Sequence, residues 1–92
     1  MSNSIEFNAG ERRYEIHVDG TLAGFTKALV DGDVVTFPHT VVFDEFEGQG
    51  RAGQLVTGAL DDVRAQGKKV IATCPYVKRF IEKHSEYADL LV

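Results

Sequence analysis

The apolar pattern changes period once along this chain, and that change restricts the possible folds more than any other feature. Up to Phe43 apolar residues recur at every second position; beyond Ala52 they recur every third or fourth. Period two belongs to strands with one buried face, and a period near 3.6 to helices with one apolar stripe. Arg12 to Val18 sets Tyr14, Ile16 and Val18 on one face, Asp19-Gly20 makes a hairpin turn, and Leu22 to Val30 reads as the next strand. Asp31-Gly32-Asp33 then turns the chain into a strand from Val34 to Phe43, with Val35, Phe37, His39, Val41 and Phe43 expected on one side. Ile5 to Phe7 is a shorter candidate. Tight turns between successive strands make an antiparallel meander. Pro38 cannot donate to a ladder, so it predicts an edge, a bulge or an opening near Pro38-His39.

Ala52, Leu55, Val56, Ala59, Leu60 and Val63 share one helical stripe, and Gly67 is placed to end that helix. Val70 to Thr73 is a short strand. Pro75 suits the first turn of a second helix, whose apolar face is Val77, Phe80 and Ile81. His84 closes it, and Tyr87 to Val92 reads as a tail. A strand-helix-strand unit gives a parallel pair with a right-handed crossover. The strands at Val34–Phe43 and Val70–Thr73 are therefore expected to start parallel and splay. The expected class is α/β (α+β), an antiparallel meander followed by a strand-helix-strand-helix unit.

With 92 residues the chain suits one domain with one core, residues 1–92. A formal net charge of -4 argues against nucleic acid as the partner, which needs clustered Lys and Arg. Cys74 is the one cysteine, which rules out an internal disulfide and gives no basis for a zinc cluster. The amino-terminal residues carry no secretory pattern, and no apolar run reaches the roughly 20 residues that span a bilayer. The expectation is a cytoplasmic protein without a membrane anchor, a monomer or weak dimer.

Gly48-Gln49-Gly50 lies between the last strand of the meander and the first helix. A helix start presents unpaired N–H groups and the positive end of the helix dipole. Gly48, Gly50 and Gly53 would let a phosphate approach the backbone, and Arg51 adds a cation. The Gly-Lys-Ser/Thr ending of a P-loop is absent, and the glycine spacing does not fit the dinucleotide motif. By itself the loop reads either as a turn or as an anion cradle.

Glu47-Gly48-Gln49-Gly50-Arg51-Ala52, with the strands before it and the helix after it, resembles the pyrophosphate loop of the Gcn5-related N-acetyltransferase (GNAT) superfamily, Gln/Arg-x-x-Gly-x-Gly/Ala. Gly50 and Ala52 fit that pattern; Glu47 departs from it at the first position. His39-Thr40, the Gly-x-Gly loop, Cys74-Pro75-Tyr76 and the run to Tyr87-Ala88-Asp89 look like a small GNAT-like group, and the resemblance spans about Phe7 to Leu91. It implies acetyl-CoA (CoA) between two splayed parallel strands. The backbone of Val41, Val42 and Phe43 would pair with the pantetheine arm. Gly48, Gln49, Gly50, Arg51, Ala52 and Gly53 would hold the pyrophosphate, with Cys74, Pro75 and Tyr76 opposite. The implied activity is N-acetyl transfer from the CoA thioester to a small amine or a protein amine; the alternative is a CoA- or acyl-CoA-binding module with little or no turnover. Asn8 to Glu11 leaves no room for the two helices that form the acceptor groove in full-length relatives.

Cys74 and His39 are the candidate catalytic residues. Cys74, beside a helix start, is either an acyl acceptor, a wall of the pantetheine site or a packed small hydrophobe. His39 suits a general base, or is a core histidine bonded to backbone. A tyrosine acid for the leaving thiolate would fall near Phe80-Ile81, neither of which donates a proton; Tyr76 lies about a turn earlier. Asp44, Glu45 and Glu47 make an acidic patch that suits an amine or simply solvates a loop. Lys78 and Arg79 could meet the adenosine 3′-phosphate. His17 is expected at the surface.

Overall fold

The computed structural model describes residues 3–92. Nine main elements follow in order: β1 Asn3–Asn8, β2 Arg13–Val18, β3 Thr21–Lys27, β4 Leu29–Asp31, β5 Val34–Phe37, β6 Thr40–Val42, α1 Arg51–Ala65, β7 Lys69–Ala72 and α2 Pro75–Lys83. A 3₁₀ turn, Asp44–Phe46, precedes α1, and a longer one, Ser85–Leu90, follows α2. The strands form two sheets. One is antiparallel, in the order β1-β2-β3-β6; the other runs β4-β5-β7, with β5 and β7 parallel.

The turns that join the strands follow from their residues. Asp19 and Gly20 both have positive φ (49° and 85°), the conformation a two-residue hairpin turn requires. Gly67 ends α1 at φ 70°, with Lys68 N–H donating to the Val63 carbonyl and Gly67 N–H to the Arg64 carbonyl, the Schellman arrangement. Pro75 takes the first position of α2, where a missing N–H costs nothing.

Two expected strands are each broken in two. Leu22 to Val30 divides at Ala28: β3 ends at Lys27 between β2 and β6, and β4 starts at Leu29 in the sheet with β5 and β7. Val34 to Phe43 divides at Pro38-His39: β5 pairs with β7, and β6 leaves it to pair with β3. That crossing overturns the expected single face. Val35 and Phe37 are buried in the core, whereas His39, Val41 and Phe43 turn to the opposite side with Phe25. The face of β6 toward the core carries Thr40 and Val42, opposite Thr26 and Gly24. Proline removes the ladder hydrogen bond that would have held one continuous register.

Helix α1 fills the concave side of both sheets. Leu55, Val56, Ala59, Leu60 and Val63 are buried against Tyr14, Ile16, Ala23, Val35, Phe37 and Val70. Each fully buried Leu or Val contributes roughly 1.5–3 kcal/mol of transfer free energy. The carboxyl-terminal segment is not a loose tail. Tyr87 and Leu90 are buried, Leu91 bridges to Val70 in parallel, and Val92 N–H donates to the Val70 carbonyl. It covers the free edge of β7, which would otherwise present unpaired backbone.

Candidate functional site

The two sheets part where β5 and β7 end. Cys74 N–H donates to the Phe37 carbonyl (2.8 Å), the last rung between them. Beyond it β6 follows β3 and the chain from Cys74 turns into α2, so a V opens. Its apex is closed by side chains: the Cys74 thiol donates to Thr40 Oγ1 (3.4 Å), and the Thr40 and Thr26 hydroxyls share a hydrogen bond of 2.9 Å.

One wall of the V is an unpaired strand edge. Lys27 N–H donates to the His39 carbonyl and Phe43 N–H to the Ala23 carbonyl. In an antiparallel register those bonds commit the odd-numbered residues of β6 to β3 and leave the N–H and C=O of Thr40 and Val42 on the open edge. Val41 and Phe43, expected to offer backbone to a ligand, are thus turned toward β3, and of the three expected residues Val42 has its backbone on the open edge.

The mouth of the V is the start of α1. Gly50 is its N-cap, in the left-handed region (φ 75°, ψ 15°), and Gly48 is also left-handed (φ 77°). Both conformations are strained for residues with a Cβ. The first helical bond runs from Gln54 N–H to the Gly50 carbonyl (3.1 Å), so the N–H groups of Arg51, Ala52 and Gly53 point out of the helix end. Arg51 is held over the loop, donating to Gln49 Oε1 and Gln54 Oε1 (3.3 and 3.1 Å). Strand edge and helix start enclose a cleft of ≈ 440 Å³, lined by Thr40, Val42, Phe46, Glu47, the glycine loop with Arg51 and Ala52, and Tyr76. Partial burial pushes the Tyr76 phenol above its ordinary range.

The remaining expected site residues fall into three groups. Gly48, Gly50, Arg51, Ala52, Gly53 and Tyr76 line the cleft. Gln49 accepts a hydrogen bond from Arg51, and Pro75 starts α2. Cys74 is buried behind Thr40, and His39 lies exposed on the far side of β6, its ring 6.5 Å from that of Phe25. His39 and Cys74 are therefore not brought together. Thr40 and Phe46, which sequence reasoning did not single out as site residues, complete the lining; the signal for Thr40 was its place in the His-Thr pair. His17, read as surface, is half-buried beside Glu15, with its Nδ1 enclosed and unbonded. Burial alone would raise the Glu15 carboxyl, but hydrogen bonds from Arg13 and Asn8 hold it below the usual carboxylate range. No cluster of three His, Cys, Asp or Glu placed to hold a metal ion occurs among the described residues.

Parallel strands that part at their carboxyl ends, with a glycine-bounded helix start between them, make a mixed α/β domain with a cleft at that end. The family model for GCN5-related N-acetyl-transferase matches residues 13–90, and the chain belongs to that family. It is 27% identical over 82 residues to Protein NATD1 of Mus musculus, covering 87% of this chain and 74% of that protein. The solution structure of a GCN5-like protein from Staphylococcus aureus aligns with TM-score 0.72 at 29% identity, covering 100% of this chain and 91% of the other. AAC(6')-Iy, solved with the bisubstrate analogue CoA-S-monomethyl-acetylneamine, aligns with TM-score 0.54 at 20% identity, covering 82% of this chain and 58% of its own. The last likeness concerns the fold alone.

Proposed function

We propose that residues 1–92 form a single acetyl-CoA-dependent N-acetyltransferase domain of minimal type, acting on a small amine or a protein amine. The observation that carries this reading is the helix start itself. Three outward N–H groups, two left-handed glycines and Arg51 converge at the mouth of a cleft whose other wall is an unpaired strand edge. Arg51, Ala52 and Gly53 would hold the pyrophosphate, and the Thr40 and Val42 backbone would pair with the pantetheine arm. Acetyl-CoA supplies an acyl group activated as a thioester. The chain's own task is to direct that group to the apex by Thr40 and to exclude water there.

A second reading, a CoA- or acyl-CoA-binding module with little turnover, is favoured by one observation. The titratable side chains that line the cleft are Glu47, Arg51 and Tyr76, whereas Cys74 and His39 do not line it. Tyr76 is the cleft's proton donor, and its hydroxyl lies 3.8 Å from where a Cβ on Gly53 would sit, at the mouth and away from the apex.

Calorimetric titration of the protein with acetyl-CoA tests both readings. Ala52→Glu places a carboxylate in the first turn of α1, which the helix dipole tolerates or favours, but fills the cradle with negative charge. The expected result is unchanged folding with CoA affinity reduced at least about tenfold. Wild-type protein that releases no heat with acetyl-CoA would sink both readings. Where acetyl-CoA binds, a transfer assay on the wild type separates them: acetyl transfer to an amine marks an enzyme, and binding without transfer a module; loss of turnover in His39→Ala with binding kept would give His39 a part in it. Full activity in Cys74→Ala removes an acyl-cysteine route.

A further inference from the structure

A separate concavity lies at the other end of α1 from the cleft. The cleft is built on the first turn of that 15-residue helix, and this one where the chain leaves its last turn for β7. At 1.5 Å per residue, about 20 Å of helix separates them. The concavity encloses ≈ 340 Å³, near the lower end for ligand pockets. Phe7 on β1, Tyr14 on β2 and Val30 on β4 form its apolar sides, over the buried Ala28. The Phe7 and Tyr14 rings meet at 5.0 Å, yet Phe7 and Val30 stay 43% and 49% exposed. A molecule seated between them would cover apolar surface that the fold leaves in water.

Two cations complete the lining, Arg12 and Lys68. Among the described residues neither makes an ion pair or a side-chain hydrogen bond, in a chain of formal net charge -4. Both stand on fixed backbone. Arg12 N–H donates to the Ala9 carbonyl, and the Arg12 carbonyl accepts from Ala28 N–H (3.3 and 2.9 Å), which ties it to the pocket floor. Lys68 N–H donates to the Val63 carbonyl, so backbone groups cap that end of α1 and the ammonium is left over. Arg12 also has a positive φ (54°), which glycine or asparagine would adopt at less cost. The chain keeps strained backbone where it places this guanidinium. No carboxylate lines the concavity, and the Asp62 carboxylate accepts hydrogen bonds from the Tyr14 and Gln66 side chains beside it.

We infer that this concavity is a second binding site, for a small carboxylate with a flat apolar body. The guanidinium of Arg12 matches a carboxylate through two parallel N–H···O bonds, and the Lys68 ammonium adds a point charge. Phe7 and Val30 take the apolar body between them. The site lies a helix length from the cleft apex, so its ligand is an effector, neither donor nor acceptor in the transfer. The inference goes beyond the cleft reading and does not depend on it.

The test is an amide-resolved NMR titration of the full chain with phenylacetate, with acetate and 2-phenylethylamine as comparisons. Phenylacetate should give saturable shifts at the amides of Ala28, Val30 and Lys68, with a Kd of about a millimolar or below. Acetate, which lacks the ring, should bind about tenfold more weakly or worse, and 2-phenylethylamine, with the charge reversed, should not saturate. Arg12→Asn with Lys68→Gln should weaken phenylacetate about tenfold or more. Asparagine tolerates the left-handed backbone and neither side chain is in the core, so the remaining amide spectrum should be unchanged. Lys68→Gln alone should show a smaller loss, and Lys78→Ala, which removes the same charge from α2, none. Absence of saturable shifts at these three amides overturns the inference. So does equal binding of 2-phenylethylamine by wild type, affinity kept in the double variant, or an equal loss in Lys78→Ala.

Discussion

Two buried phenols tie the sheet and the carboxyl-terminal turn to α1. The Tyr14 hydroxyl donates to Asp62 Oδ2 at 2.6 Å, and the Tyr87 hydroxyl to Asp61 Oδ1 at 2.7 Å. Burial first, then the hydrogen bond to Asp61, pushes the Tyr87 phenol up to about 12 from its ordinary 10.0; burial and Asp62 shift Tyr14 in the same direction. A phenol whose folded pKa is raised stabilises the fold fully below its unfolded pKa, and that contribution is lost as pH rises through the folded value. Unfolding free energy should therefore stay flat on this account up to about pH 10 and decline toward pH 12. Tyr87→Phe should cost about 1 kcal/mol at neutral pH and show a shallower alkaline decline in denaturant titrations. An unchanged alkaline slope in Tyr87→Phe would mean that Tyr87 is not the titrating group. Neither partnership shows in the sequence. Tyr14 and Tyr87 read as an apolar strand position and a tail residue, because 48 and 26 positions separate them from their aspartates.

At the scale of elements, α1 lies so close to β1 that Gly58 faces Ile5 directly. A Cβ on Gly58 would stand 2.5 Å from Ile5 Cδ1 and 3.1 Å from its Cγ2. Ala is the better helix former by up to about 1 kcal/mol, yet here the contact should outweigh that gain. Gly58→Ala is expected to destabilise by about 1–2 kcal/mol, and adding Ile5→Ala should recover part of the loss. Thermal unfolding of the two singles and the double measures the coupling; strict additivity would show that the helix has moved away. Helix α1 itself was legible, since its stripe, its Gly67 end and its glycine-rich start are all local signals. The strand breaks were legible only in part. Pro38 marked an opening, but no local residue marks Ala28, the last position in register with β2 before the chain leaves to pair with β5.

For the molecule as a whole, the cleft parts the two sheets, so a ligand filling it should join them mechanically. A ligand that binds only the folded state stabilises by mass action, about 2.7 kcal/mol at a hundred times its Kd. Saturating acetyl-CoA should raise the melting temperature by several degrees for a domain of this size. Gly50→Glu should abolish that shift and also lower the melting point without ligand, because φ 75° strains a side chain there. A ligand-induced shift undiminished in Gly50→Glu would place the binding site elsewhere.

The sequence alone determined the order of elements, the parallel pair, both helices and the glycine loop at a helix start. All of these follow from periodicity and from residues whose backbone preferences act within a few positions. The tertiary structure decided which side chains meet. It divided the strand at Pro38 between two sheets, turned His39 away from Cys74, set Thr40 at the apex and bound the tail into the core. The physical reason is that a side chain's direction depends on register, and register here is set by strand partners far along the chain, from Thr26 opposite Thr40 to Val70 opposite Val35. A one-residue irregularity at Pro38-His39 reverses every face that follows it.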